Sequence, residues 1–374
     1  KIGLILTYEN NDTTGSYLLA NEGTIDFKGD KSIGIQIFAQ SYGANQGPKV
    51  KVDNSGTISV VGAESYGIKV SSRVDITNSS IENNGTINVS GLNEITSDHD
   101  GLSSGMAIIE DSGQTGNPIV AGSIMKNNNE INVSGQGNSG MFLKTAVLGD
   151  VITNATGGSI NVSKDKNIGM RVDMGTVQPR ATASIFKGAP SGINIGDITI
   201  TSGNKNIGML ANGGYTPSPS SPYVAVQAKN SGNINITGGT KNNAMSSVNG
   251  GNIENTGNIN ISSPVTNSIG MYIENTLIAT GSLKGTGTGT GNITVTGDGN
   301  TAIANFGTFT QTGGTIDVSG KDSIGIYAKD ATSDTLIKNS IVNAKKGAVA
   351  FYADGSVGNE STITLNNVTS NIGD

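Results

Sequence analysis

Apolar and polar residues alternate strictly in a short segment that recurs along the chain. It reads Gly56-Thr-Ile-Ser-Val, Gly85-Thr-Ile-Asn-Val, Gly158-Ser-Ile-Asn-Val, Gly232-Asn-Ile-Asn-Ile, Gly257-Asn-Ile-Asn-Ile, Gly291-Asn-Ile-Thr-Val and Gly314-Thr-Ile-Asp-Val. A period of two bounded by glycines predicts a half-buried β-strand, with Ile87 and Val89 inward and Thr86, Asn88 and Ser90 outward. A second alternating segment follows each first one, as in Ser32-Ile-Gly-Ile-Gln-Ile, Asn167-Ile-Gly-Met-Arg-Val, Ser268-Ile-Gly-Met-Tyr-Ile and Ser323-Ile-Gly-Ile-Tyr-Ala. Strict alternation there places Ile168, Met170 and Val172 inward and Gly169 and Arg171 outward. The opening Lys1-Ile-Gly-Leu-Ile-Leu matches this second segment, with Ile2, Leu4 and Leu6 inward. A weaker third segment ends on Asn, as in Val50-Lys-Val-Asp-Asn.

Three strands per unit, repeated at roughly 30-residue intervals, predict a solenoid whose coils bury a core only by stacking. The fold expected is all-β, a parallel β-helix of about a dozen coils about 4.8 Å apart. Residues 1–374 form one such segment. Uneven spacing places excursions near 92–103, 109–122, 173–192, 212–223 and 330–339. Asn21, Asn54, Asn83, Asn127, Asn230 and Asn255 precede the first strands, and stacked in register they form an amide ladder along one corner. Turn chemistry explains them: Asn tolerates the left-handed region, and the Gly two residues on adds backbone freedom.

Composition narrows the function. Gly accounts for 55 residues and aromatics for 4%, with no Trp, as suits a narrow aliphatic bore. The net charge of −6 and the absence of a basic run argue against nucleic acid and anionic membranes. There is no Cys, hence no disulfide framework and no thiol chemistry. No apolar stretch is long enough to span a membrane. The first residues lack the form of a signal peptide. Both ends match the interior of a repeat, so the chain is expected to be a segment of a longer solenoid.

The excursions carry the candidate chemistry. Residues 92–103 gather Glu94, Asp98, Asp100 and the single histidine, His99. Clustered oxygens are the ligand type calcium takes, but a solvated acidic loop is the simpler reading, and a lone His argues against zinc. No metal and no cofactor is expected. Residues 173–192 carry Arg180, Phe186 and Lys187; residues 212–223 carry Tyr215 and Tyr223 in a proline-stiffened loop. Tyrosine faces bury area at low entropy cost in sugar or protein contacts. Tyr215, Tyr223, Arg180, Asp98, His99 and Asp100 are therefore the candidate ligand-binding residues. Catalysis finds little support. The outward column of the first strand, from Asp26 through Asn88 and Asn161 to Asp317, contains no adjacent carboxylate pair of the kind glycoside cleavage uses. No nucleophile elbow, His-Glu-x-x-His or phosphate loop occurs.

The unit Asn-x-Gly-x-Ile-x-Val-x-Gly followed by Ser/Asn-Ile-Gly-Ile/Met resembles the passenger repeats of the large fusobacterial autotransporter adhesins. The resemblance covers the whole chain. It implies a right-handed β-helical passenger of a type V secreted virulence protein, exposed on the bacterial cell surface and anchored in the outer membrane by a C-terminal barrel outside this sequence. It also implies partners: a host cell-surface glycan such as galactose or N-acetylgalactosamine, an immunoglobulin-like receptor, or other bacteria. Three readings stay open. They are a non-enzymatic, monomeric adhesin segment, a polysaccharide-degrading β-helix enzyme, and a structural stalk with binding elsewhere.

Overall fold

In the computed structural model, the described residues are all except 9–15, 40–48, 72–79, 94–102, 110–123, 146–150, 176–188, 214–224, 279–280, 331–332, 346, 356–359 and 374. They contain strands and no helix. Three parallel sheets of 12 strands each take one strand from every coil. We name them in chain order. In the first coil sheet A contributes Ile2–Tyr8, sheet B Ser16–Asn21 and sheet C Thr24–Lys28. The chain then re-enters sheet A at Ile33–Ala39, and this order holds through 12 coils. This is a right-handed parallel β-helix, the hand that parallel crossovers adopt because strands twist to the right.

Sheet C follows the alternation. Ile87 and Val89 are buried, while Thr86 and Asn88 are partly exposed. The bore is lined by Ile, Val, Leu and Met from all three sheets as one continuous cluster. Sheet A departs from strict alternation. A Cβ on Gly169 would lie 2.9 Å from Ile198 Cγ2 and 2.6 Å from the Gly208 carbonyl oxygen, so Gly169 faces the bore rather than water. Gly34 and Gly140 face it in the same way, against Ile58 and Ile160. Two successive residues, Gly169 and Met170, therefore point inward, and Ile168 is displaced outward. Ile168 packs in a separate cluster with Ile207, Leu210 and Val248. Ile2 holds the equivalent position and is 46% exposed, while Leu4 and Leu6 pack on the core. Glycine is selected here because an opposing isoleucine methyl occupies the space a side chain would need.

Arg171 also departs from expectation. It lies on the outer side of sheet A but is only 6% exposed. Its Nε donates to both Asp173 carboxylate oxygens, at 2.9 and 3.0 Å, and its Nη2 donates to Oδ2 at 2.6 Å. The guanidinium stands 5.0 Å over the Phe142 ring of the preceding coil. A buried guanidinium needs such a partner, and Asp173 is two residues along the same strand.

The corners differ in what they accommodate. The turn from B to C is two residues long in every coil but one, where residues 155–158 intervene. Inside this corner runs the amide ladder. Nδ2 of each Asn donates to Oδ1 of the next at 2.7–2.8 Å, from Asn21 through Asn54, Asn83, Asn127, Asn154, Asn194 and Asn230 to Asn255. Asn154 and Asn194 extend the series read from sequence. None of these asparagines has a positive φ. They close sheet B strands with the carboxamide turned into the protein. The glycines two residues on, Gly56, Gly85, Gly196, Gly232 and Gly257, serve close approach: a Cβ on each would strike the backbone of the preceding coil. Asn339 and Asn367, in the B-to-C turns of the last two coils, are left-handed, and a longer series of left-handed residues lies at the C-to-A turn, at Lys31, Glu64, Lys166, Lys205, Lys241, Asn267 and Asp322. Each residue of that longer series is followed by a buried Ser or Asn of a second internal ladder. There the backbone N–H of Asn138, Asn167 and Asn206 donates to the side-chain oxygen of Asn167, Asn206 and Asn242 at 2.8 Å, and Ser268, Asn300 and Ser323 continue the series.

The A-to-B corner takes the long insertions. Those between Ile109 and Ile124, Met174 and Ser191, and Asn212 and Gln227 all leave from it. The excursion at 92–103 leaves from the C-to-A corner, and its edges are structured: Asn93 donates to Asn138 Oδ1 at 2.8 Å and Ser103 opens a sheet A strand. Residues 330–339, expected as an excursion, contain the sheet B strand Asp334–Lys338. Its inward residues are Thr335 and Ile337, so the apolar alternation is broken by a threonine. Asn305 Nδ2 satisfies that hydroxyl oxygen at 2.8 Å. One projection has no counterpart in the sequence reading. Asn275–Ile278 and Gly281–Lys284 form an antiparallel hairpin at the A-to-B corner of the ninth coil.

Candidate functional site

Tyr215, Tyr223, Arg180, Asp98, His99 and Asp100 lie outside the described residues, and so does Glu94. The strands that flank them fix where they enter the fold. The insertions carrying Arg180 and the tyrosines leave the same corner in adjacent coils, because Ile168–Met174 pairs with Ile207–Asn212 and Ser191–Asn194 with Gln227–Asn230. The strands that flank the acidic segment, Thr86–Val89 and Ser103–Ile109, meet at another corner, from C to A.

Within the described residues, the chemistry gathers on the outer side of sheet A in the last four coils. Register aligns Tyr272, Ala304, Tyr327 and Tyr352 in one outward column. Phe306, just past the strand Thr301–Asn305, fills the gap left by Ala304. The rings form a continuous strip. Tyr272 and Phe306 are 5.6 Å apart between centroids, Phe306 and Tyr327 5.9 Å in edge-to-face contact, and Tyr327 and Tyr352 5.6 Å with their planes 12° apart. Offset-stacked and edge-to-face pairs at these separations suit the ring quadrupoles. Tyr352 is 48% exposed.

Polar groups rim the strip. The Tyr327 hydroxyl donates to Asp354 Oδ2 at 3.0 Å, and Lys329 Nζ stands 3.5 Å from the same oxygen. At the other end, Glu274 follows Tyr272 and precedes the hairpin. Burial raises the Glu274 carboxyl above the usual carboxylate range. Burial, and then the Glu274 charge, raise the Tyr272 hydroxyl. Burial first, and then the hydrogen bond to Asp354, push Tyr327 up to about 12. The perturbed groups thus fall on one strip, and such clustering is typical of sites where ligands meet protein. Glu274 and Asp354 are three coils apart, about 14 Å at the coil rise. That exceeds the spacing at which two carboxylates cooperate on a glycosidic bond.

A second, shallower feature lies on the outer side of sheet B, where Gln227, Lys229, Asn252, Glu254, Thr286 and Thr288 line a depression of about 170 Å³. Lys229 and Glu254 pair across it at 3.3 Å. Sheet C presents amide and hydroxyl columns, with Asn132 donating to Asn88 and Asn161 to Asn132 at 3.0 Å. Among the described residues, no group of three His, Cys, Asp or Glu side chains is placed to hold a metal ion. None of their helices crosses a membrane, since the described residues form none.

The strip escaped the sequence reading because its members sit in ordinary second-segment positions. The signal was present as a tyrosine at one place in Ser268-Ile-Gly-Met-Tyr and Ser323-Ile-Gly-Ile-Tyr. Reading it needed the register between coils, which brings in Tyr352 and Phe306.

Residues 2–183 are similar to a protein-family model described as the BigA third pectate lyase-like domain. No curated protein and no solved structure matches the chain. The family match agrees with the β-helical architecture and supports an autotransporter-like passenger of a bacterial surface protein. It does not extend to the fusobacterial group.

Proposed function

We propose that this chain is part of the passenger of a bacterial surface adhesin, a rigid rod that presents binding surfaces along its A-to-B corner. The observation that carries this reading is the concentration of long insertions on one corner of a repetitive scaffold. Loops positioned by a rigid frame are where recognition residues concentrate. The insertions bearing Arg180, Tyr215 and Tyr223 leave that corner in adjacent coils. Partners fitting the reading are host glycans, including galactose or N-acetylgalactosamine, an immunoglobulin-like receptor, or other bacteria. The reading assigns the chain no catalysis, cofactor or nucleic acid, and its anchor is a membrane barrel elsewhere in the parent protein.

The test is binding of the chain to a glycan array, to receptor ectodomains and to partner bacteria, repeated with residues 213–222 replaced by a short Gly-Ser turn. Loss of binding in the trimmed protein supports that insertion as a recognition element. Unchanged binding removes it, and no binding by either protein leaves a stalk. The alternative of a polysaccharide-degrading enzyme draws on the pectate lyase-like description of the matched family. It predicts unsaturated oligosaccharide products from polygalacturonate, and their absence with folded protein and added calcium removes it.

A further inference from the structure

We infer that the strip of Tyr272, Phe306, Tyr327 and Tyr352, rimmed by Glu274, Lys329 and Asp354, binds a neutral hexopyranose chain lying along the rod axis. The inference rests on the adhesin reading and names the ligand class and the place.

A pyranose ring has a face of C–H groups and a rim of hydroxyls. The strip offers the complement to both. Its rings supply apolar surface that is already ordered, so little side-chain entropy is lost on binding. Asp354 is an acceptor and Lys329 a donor beside Tyr327 and Tyr352, where the platform is most open. Glu274 lies at the opposite end, next to Tyr272.

Shape selects an extended ligand. The rings follow one another at 5.6–5.9 Å through four coils. That makes a track one side chain wide along the axis, unlike the broad patch that a stable protein interface buries.

Charge selects a neutral one. Glu274, Asp330 and Asp354 surround the strip against Lys329 alone among the groups named for it. A uronate or sulfated chain would meet net repulsion, as like charges disfavour the wrong partner. This separates the strip from the acidic-polymer grooves that a pectate lyase-like description brings to mind.

The test is calorimetric titration of the whole chain with neutral galactose- and glucose-terminated oligosaccharides, and with oligogalacturonate for contrast. Ring-proton shifts of the tyrosines provide the readout of place. Binding of a neutral oligosaccharide with shifts at Tyr327 and Tyr352 is expected. Tyr352→Ala should weaken it about tenfold, equivalent to about 1.4 kcal/mol. Asp354→Asn, which keeps shape and removes charge, should also weaken it. Leu92→Ser, an exposed change on a distant coil, should not. Circular dichroism confirms that each variant is folded. Equal affinity in wild type, Tyr352→Ala and Asp354→Asn overturns the strip and leaves the adhesin reading standing. So does wild-type protein that binds receptors or bacteria but no neutral saccharide, or that prefers oligogalacturonate. Failure to bind any saccharide, receptor or bacterium overturns both.

Discussion

Gly169 stands where the Ile198 methyl and the Gly208 carbonyl oxygen leave no volume for a Cβ. Gly169→Ala forces a methyl into a packed bore and should cost about 1–3 kcal/mol by overpacking. Gly23 has a φ outside the left-handed region and no neighbour within 4 Å of a Cβ. Gly23→Ala should stay within about 0.5 kcal/mol of wild type. Urea unfolding of the two variants measures the contrast, and equal midpoints would contradict the inward placement of Gly169. Tyr327 gives a pH signature. Its folded pKa of about 12 lies above the ordinary tyrosine value near 10. The native state therefore keeps a proton that the unfolded state releases, and stability falls as pH rises between these two values. Below that window the hydroxyl is protonated in both states and adds no slope. Alkaline denaturation of wild type against Tyr327→Phe, with absorbance of the tyrosinate, checks this. The drop should shrink in the variant. The residue scale also marks the limit of pattern reading. Ile87 and Val89 obey a period of two and were legible. Ile168 and Gly169 were not, because two inward residues in succession follow from contact with an opposing sheet, which local polarity does not encode.

Elements follow the same division. The strands of sheet C and the B-to-C turn were readable because each carries its own marker, Gly-x-Ile or Asn-x-Gly. Asp334–Lys338 was not, because its inward Thr335 looks like a loop residue until Asn305 is seen bonding to it. The hairpin Asn275–Ile278 with Gly281–Lys284 pairs within itself rather than extending a sheet. Its return, Gly285, donates its N–H to the Glu274 carbonyl at 2.7 Å, so the base is already closed. Replacing residues 277–282 by two glycines, which keeps the Thr276 hydroxyl that accepts from the Asn249 N–H at 3.2 Å, should leave the coil intact and move the unfolding midpoint little. What should change is Glu274, whose carboxyl gains solvent and returns toward the ordinary range. NMR titration of that carboxyl checks the shift, and an unaltered value would assign its burial to sheet A alone.

The whole molecule is a stack of 12 coils, about 55 Å long at the rise of a parallel sheet. In such a stack each unit touches only its neighbours, and damage stays local. Asn127 accepts from Asn83 and donates to Asn154, each at 2.8 Å, so Asn127→Ala strands the Asn154 oxygen and leaves Asn83 Nδ2 only its bonds to the Gly85 and Glu130 carbonyls. It should cost about 1–3 kcal/mol. Amide hydrogen exchange should show the loss of protection at the coils of Asn83, Asn127 and Asn154 and leave that at Asn255 and beyond unchanged. Protection lost uniformly from end to end would mean a single cooperative unit instead of a chain of neighbours.

The asparagine column at the B-to-C corner has a consequence for how such a rod diversifies. Each amide must reach the one above it, so that edge varies little in length, residues 155–158 being its one longer turn, and acts as a keel. Novel sequence is channelled to the opposite edge, between sheets A and B, where the thread can leave and return without cutting a bond that any other layer needs. A foreign peptide spliced between Met174 and Ser191 would ride on that deck, while the same peptide placed inside the strand Gln227–Asn230 would carry Asn230 out of register and sever the keel.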